Sequence, residues 1–127
     1  MKLYLQSESG ECGLACLAMI AGHYGHRTNI RDLRQKFSVS LKGITVAQLI
    51  RHANALDLSI RPLRAELNEL LNVQCPCILH WDLNHFVVLQ KIKKTLHGKA
   101  KLTVFDPACG KKICGLMKFH VTLPELS

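Results

Sequence analysis

Residues 6–25 read QSESGECGLACLAMIAGHYG. Over residues 13–21 the chain is small and apolar (Leu14, Ala15, Leu17, Ala18, Met19, Ile20) with almost no charge, which predicts a helix buried on most faces. Ser9 is the expected N-cap, placing Cys12 in the first turn, where backbone N–H groups and the positive end of the helix dipole favour an anion. A thiol in that position is a better nucleophile, so Cys12 is the candidate for nucleophilic chemistry. The competing reading is that an unpaired cysteine is a small buried hydrophobe, and Cys16, one turn deeper on the same face, is read that way. Two neighbours separate Cys12 from Cys16. Gly13 allows close approach of another segment, and Gln6 brings an amide able to stabilise a developing oxyanion.

A chain of 127 residues is expected to form one domain, residues 1–127, with a core of its own. No segment approaches the run of about eighteen apolar residues that suggests a membrane span, so the chain reads as soluble. Lys2 followed by an apolar run imitates a signal peptide, but Glu8 and Glu11 fall between them and argue against it. Six cysteines without an export signal read as reduced thiols in a cytosolic setting. The formal net charge of +8 points to acidic partners without choosing among them. Much of that excess lies in Lys91, Lys93, Lys94, Lys99 and Lys101, read as a solvated hairpin tip.

Outward from the first helix, Asn29 is expected to cap a second, with Ile30, Leu33 and Phe37 on one face, and residues 38–43 to connect it onward. Thr45 caps a third, with Val46, Leu49, Ile50 and Ala53 inward, and residues 56–63 are expected to form a strand that ends near Pro62. Residues 66–71 read as a short helix. The pattern then turns strand-like: residues 77–81, a tight turn at 82–84, an antiparallel return over 85–91, and a third strand over 101–105 closed by Asp106-Pro107. Ile113 and residues 119–123 suggest one or two edge strands. The fold class is therefore α+β, with N-terminal helices packed on a C-terminal antiparallel sheet.

His85 opens a strand directly after a turn, and Asp106 ends the next strand in antiparallel order. Such ends lie side by side, bringing a carboxylate to one imidazole nitrogen and leaving the other for a thiol on the packed helix. In a Cys-His-Asp arrangement the histidine takes the thiol proton and returns it to the leaving amine, while the aspartate fixes the tautomer. His80 is a rival base, although its place inside a strand favours a structural role. Trp81 reads as core or pocket wall. His23, His26, His52, His97 and His120 are assigned none. Cys75-Pro76-Cys77 and the pair Cys109 and Cys114 lack the two-residue spacing of zinc sites or redox pairs, so no metal and no cofactor is expected.

Gln6, Glu11-Cys12-Gly13 with Ala15-Cys16, Tyr24-Gly25, then His80-Trp81 with His85-Phe86-Val87-Val88-Leu89, and last Asp106-Pro107-Ala108 with Gly110, together resemble the peptidase domain of bacteriocin-processing ABC transporters of the colicin V export type. The resemblance spans residue 6 to about residue 110 and weakens over 111–127. It implies a papain-like cysteine peptidase at the cytoplasmic face of the bacterial inner membrane, cleaving a leader peptide after a double glycine. It also implies Cys12 as nucleophile, His85 as base and acid, Asp106 as orienting carboxylate and Gln6 as oxyanion donor. Its partners would be the double-glycine leader of a secreted precursor and the transmembrane and ATPase domains of an ABC transporter. With no membrane span and no GxxxxGK[ST] loop, the chain reads as the excised N-terminal part of a transporter, or as a partner of one in a separate chain.

The alternative is a non-catalytic docking domain that holds a leader or secretion signal in the same groove; Cys12, His85 and Asp106 occurring together argue against it. A nucleic-acid-binding module is disfavoured because no aromatics interleave the lysine loop.

Overall fold

The structure, a computed structural model, describes residues 1–6, 10–26, 28–37, 43–65, 74–81, 85–94, 100–115 and 121–126. The expected Ser9 cap, the connector over 38–42, the short helix over 66–71, the turn at 82–84, the basic loop over 95–99 and His120 lie outside the described residues.

Among the described residues three helices come first: α1 (Cys12–His23), α2 (Ile30–Lys36) and α3 (Val46–Ala55). Helix α1 is buried from Cys12 to Ala21, as its lack of polar side chains requires. Its N-cap position is Glu11 rather than Ser9, and Glu11 makes no side-chain cap. The Glu11 carboxylate is instead gripped by the Arg34 guanidinium of α2, through Nε to Oε2 and Nη2 to Oε1, the latter at 3.0 Å. Asn29 caps α2 through Asp32 N–H, and Thr45 with Gln48 forms a reciprocal capping box on α3. Leu33, Leu49 and Ala53 form the fully buried part of the inward stripes of α2 and α3.

Six strands follow among the described residues: β1 (Ile60–Ala65), β2 (Cys77–Trp81), β3 (His85–Lys94), β4 (Ala100–Asp106), β5 (Gly110–Gly115) and β6 (Val121–Leu126). They form one antiparallel sheet in the order β1-β6-β2-β3-β4-β5. Three expectations are corrected. Pro62 lies inside β1 rather than ending a strand; β1 is the sheet's outer strand, where a residue without an N–H is tolerated. Of the two expected edge strands only β5 is one, because β6 inserts between β1 and β2, paired with β1 along its whole length and with β2 at His80 and Thr122. Strand β3 also runs three residues beyond the expected 91, since Ile92, Lys93 and Lys94 find ladder partners in Leu102, Lys101 and Ala100.

Strand alternation divides the core. Ile78, Phe86, Val88 and Phe105 face α1 and join Leu14, Leu17, Met19 and Ile20 in one cluster. Leu79, Val87, Leu89, Leu102 and Val104 alternate with them and form a second. Gly13 is required by this packing, though for side chains rather than a backbone: a Cβ there would lie 2.6 Å from Ile44 Cδ1 and 3.5 Å from Phe86 Cδ2. Among the described residues no helix is long and apolar enough to cross a membrane.

The Glu11–Arg34 pair ties the start of α1 to α2, and Glu11 is only 5% exposed. Arg34→Ala removes the main cation facing a desolvated carboxylate, and urea unfolding should show a loss of about 2–4 kcal/mol. A loss under about 0.5 kcal/mol, the range of ordinary surface changes, would make the pair incidental.

Candidate active site

Three elements converge at one end of the sheet. Cys12 is the first residue of α1, 3% exposed, and its Sγ accepts the backbone N–H of Phe86 at 3.4 Å. That contact pins the helix start to the start of β3, where His85 is the first residue. The β3–β4 register sets Val88 opposite Phe105, so Asp106, one residue further on, is a diagonal neighbour of His85. His85 Nε2 lies 2.7 Å from Asp106 Oδ1, the nitrogen donating because a carboxylate only accepts. With Nε2 engaged there, Nδ1 is the nitrogen left for the ring's hydrogen bond with the Cys12 sulfur.

The sequence explains why Asp106 is held so firmly. In Asp106-Pro107-Ala108-Cys109-Gly110 the carboxylate accepts Ala108 N–H at 2.9 Å, an Asx turn, and the Asp106 carbonyl accepts Cys109 N–H at 3.2 Å. Gly110 closes the turn at φ +99°, a conformation that favours glycine. Lys112 Nζ, on β5, approaches the other carboxylate oxygen, Oδ2, at 3.4 Å. Gln6 is brought to the same corner by its backbone N–H, which donates to Pro107 O at 2.9 Å.

The electrostatics follow from these contacts. The hydrogen bond with Cys12, opposed by burial and supported by Asp106, raises the His85 imidazole from 6.5 to about 9, so the ring keeps its proton through neutral pH. Burial pushes the Asp106 carboxyl up, but Ala108 N–H, His85 and Cys109 outweigh it and hold the group below its ordinary value. Cys16 is fully buried, and its thiol is pushed well up by that burial, then by Cys12 and Asp106. It stays neutral and packs as core, as expected.

His80 is not part of this constellation. It sits opposite Phe86 on β2, and its ring stacks on the Phe86 ring at 4.6 Å with planes 15° apart. The ring therefore supports the residue whose N–H reaches Cys12. Sequence reasoning missed Ala108 N–H, Cys109 and Lys112. The first was signalled by the Asp-Pro turn, in which an aspartate accepts the N–H two residues on. Cys109 follows from the same turn, its N–H reaching the Asp106 carbonyl three residues back, whereas Lys112 depends on the β4–β5 register, which no local pattern shows.

Residues 1–122 match the Peptidase C39 family. The chain is 44% identical over 110 residues to the probable microcin-H47 secretion/processing ATP-binding protein MchF of Escherichia coli, covering 87% of this chain and 15% of that protein. It is 46% identical over 105 residues to the colicin V secretion/processing ATP-binding protein CvaB of Escherichia coli, covering 83% and 14%. It thus spans about one seventh of the length of these relatives. Among solved structures it is similar to a double glycine motif protease from an AMS/PCAT transporter in complex with the leader peptide, with a TM-score of 0.82 and 29% identity, covering 96% of this chain and 88% of that one. The peptidase domain of Streptococcus ComA shares the fold, with a TM-score of 0.78 at 23% identity over 98% of both chains.

Proposed function

Because the chain belongs to the Peptidase C39 family, we propose that it is a cysteine endopeptidase that removes a leader from a bacteriocin or microcin precursor by cutting after a double glycine. The observation that carries this reading is the single imidazole hydrogen-bonded to the sulfur that opens α1 and, at 2.7 Å, to the carboxylate that closes β4. The leader specificity is carried over from the double glycine motif protease, whose structure holds a leader peptide.

In this mechanism the proton rests on His85 and Cys12 Sγ attacks the carbonyl carbon of the second glycine. The carbonyl electron pair moves to oxygen, where the Gln6 amide and the positive end of α1 stabilise the charge. Collapse breaks the C–N bond as His85 gives its proton to the leaving amine, and a thioester remains. Water then attacks with His85 as base, releasing the leader carboxylate and restoring the sulfur. Asp106 keeps Nε2–H turned toward itself and Nδ1 toward the sulfur throughout. Two glycines at the cut allow an extended chain through a groove that side chains would block.

As a working unit the domain serves the transmembrane and ATPase parts of an ABC transporter, in the same or a separate chain, at the cytoplasmic face of the cell membrane. That placement is inferred from the secretion/processing ATP-binding relatives. Incubating the purified domain with a panel of double-glycine precursors and reading products by mass tests the reading. Cleavage after the second glycine is expected. Precursors that bind and remain intact would assign the groove to docking alone, and precursors that neither bind nor are cut would remove the leader specificity.

A further inference from the structure

We propose that Lys112 is a positioning residue that, acting through the Asp106 carboxylate, sets how firmly His85 keeps its proton and hence the upper pH limit of cleavage. This rests on the peptidase reading above for its consequence, though not for its geometry. In the β4–β5 ladder Asp106 is opposite Gly110 and Val104 is opposite Lys112, so Asp106 and Lys112 are diagonal neighbours on one face. The two carboxylate oxygens are divided between opposite tasks. Oδ1 receives His85 Nε2 and Ala108 N–H, while Oδ2 faces the Lys112 ammonium at 3.4 Å.

Among the described residues, the charged and titratable groups around the Asp106–His85 pair are Cys12 and Cys16 of α1, Cys109 of the turn and Lys112 of β5. Within that set Lys112 is the cation on the carboxylate, at 3.4 Å from Oδ2, the oxygen not engaged by His85. A carboxylate draws a proton onto the imidazole, and a cation on the same carboxylate weakens the pull. Contact with Cys109, and then with Asp106, keeps the lysine protonated across the working range. Its side chain is 48% exposed, so its influence is screened by salt. The competing explanation is a lysine that only guards an edge strand against pairing with another chain. That role would leave the ring's titration untouched.

The experiment follows the His85 ring by NMR titration in the wild type, Lys112→Met and Lys112→Arg, beside the pH profile of cleavage. In Lys112→Met the ring midpoint and the basic limb should both rise by about half a pH unit at low ionic strength. Lys112→Arg should stay with the wild type, and salt near about 1 M should bring the wild type toward Lys112→Met. An unchanged midpoint in Lys112→Met, or an equal rise in Lys112→Arg, overturns the proposal. Because the ring is observed directly, the two readings fail separately. A midpoint that moves in a protein without cleavage keeps the Lys112 linkage and removes the peptidase, whereas cleavage with a fixed midpoint removes only the linkage.

Discussion

Cys12→Ala should lower leader cleavage by about 10⁴-fold or more, the scale on which a covalent mechanism loses its nucleophile. The domain should still fold. The substitution removes one sulfur from a site that is 3% exposed and gives up the Phe86 N–H contact, together costing about 1–2 kcal/mol in chemical denaturation. Cys16→Ala is the matched control. It deletes the same atom type one helical turn further along α1, from a position with no exposure at all, and should cost a similar amount of stability. Yet its thiol is pushed up by burial and stays neutral, so activity should remain within about threefold. Equal losses at both positions would mean that the packing of α1, rather than a nucleophile at its start, is what cleavage requires.

The candidate site was legible in the sequence where its geometry is local, and illegible where it depends on distant pairing. A strand opening at His85, a strand ending at Asp106 and an uncharged helix with a cysteine at its start are patterns within single elements, and antiparallel order joins the first two. Asn29 and Thr45 acted as caps because each oxygen reaches an N–H three residues ahead. Glu11 shows the opposite case. Nothing within α1 reveals that its N-cap residue is a buried carboxylate held by Arg34, twenty-three positions away. Pro62 misled for a similar reason, since proline is tolerated wherever one side of its strand has no ladder partner, and strand order is set by β6 returning between β1 and β2. Lys112 belongs to this second class, its position opposite Val104 being a property of register alone.

Asp106→Ala should reduce kcat/KM by about 10²–10³-fold, and Asp106→Asn by about tenfold, because orientation and charge are separable contributions of the carboxylate. Alanine removes both and leaves Nε2–H without its acceptor. Asparagine keeps the orientation: Ala108 N–H and Nε2–H both donate to the Oδ1 position, which selects the amide oxygen there and puts the amide nitrogen at the Oδ2 position, from which the half-exposed Lys112 ammonium, a donor facing a donor, must swing away. What asparagine loses is the negative charge, and the pH profile reports that loss. The wild-type ring, raised to about 9, should set the basic limb of kcat/KM near that value. In Asp106→Asn the limb should fall toward 6.5 without reaching it, since the hydrogen bond with Cys12, the largest cause of the rise, remains. Stability follows the same sign. A ring whose folded value lies above 6.5 contributes fully below 6.5, and its contribution is lost as pH rises through about 9. The Asp106 carboxyl, held below 3.8, contributes above that value and loses its contribution as pH falls through its native value. Denaturation midpoints should therefore decline on the alkaline side more steeply in wild type than in Asp106→Asn. An Asp106→Asn limb coincident with that of the wild type would mean that the Cys12 sulfur alone keeps the ring charged, leaving Asp106 only the task of aiming it.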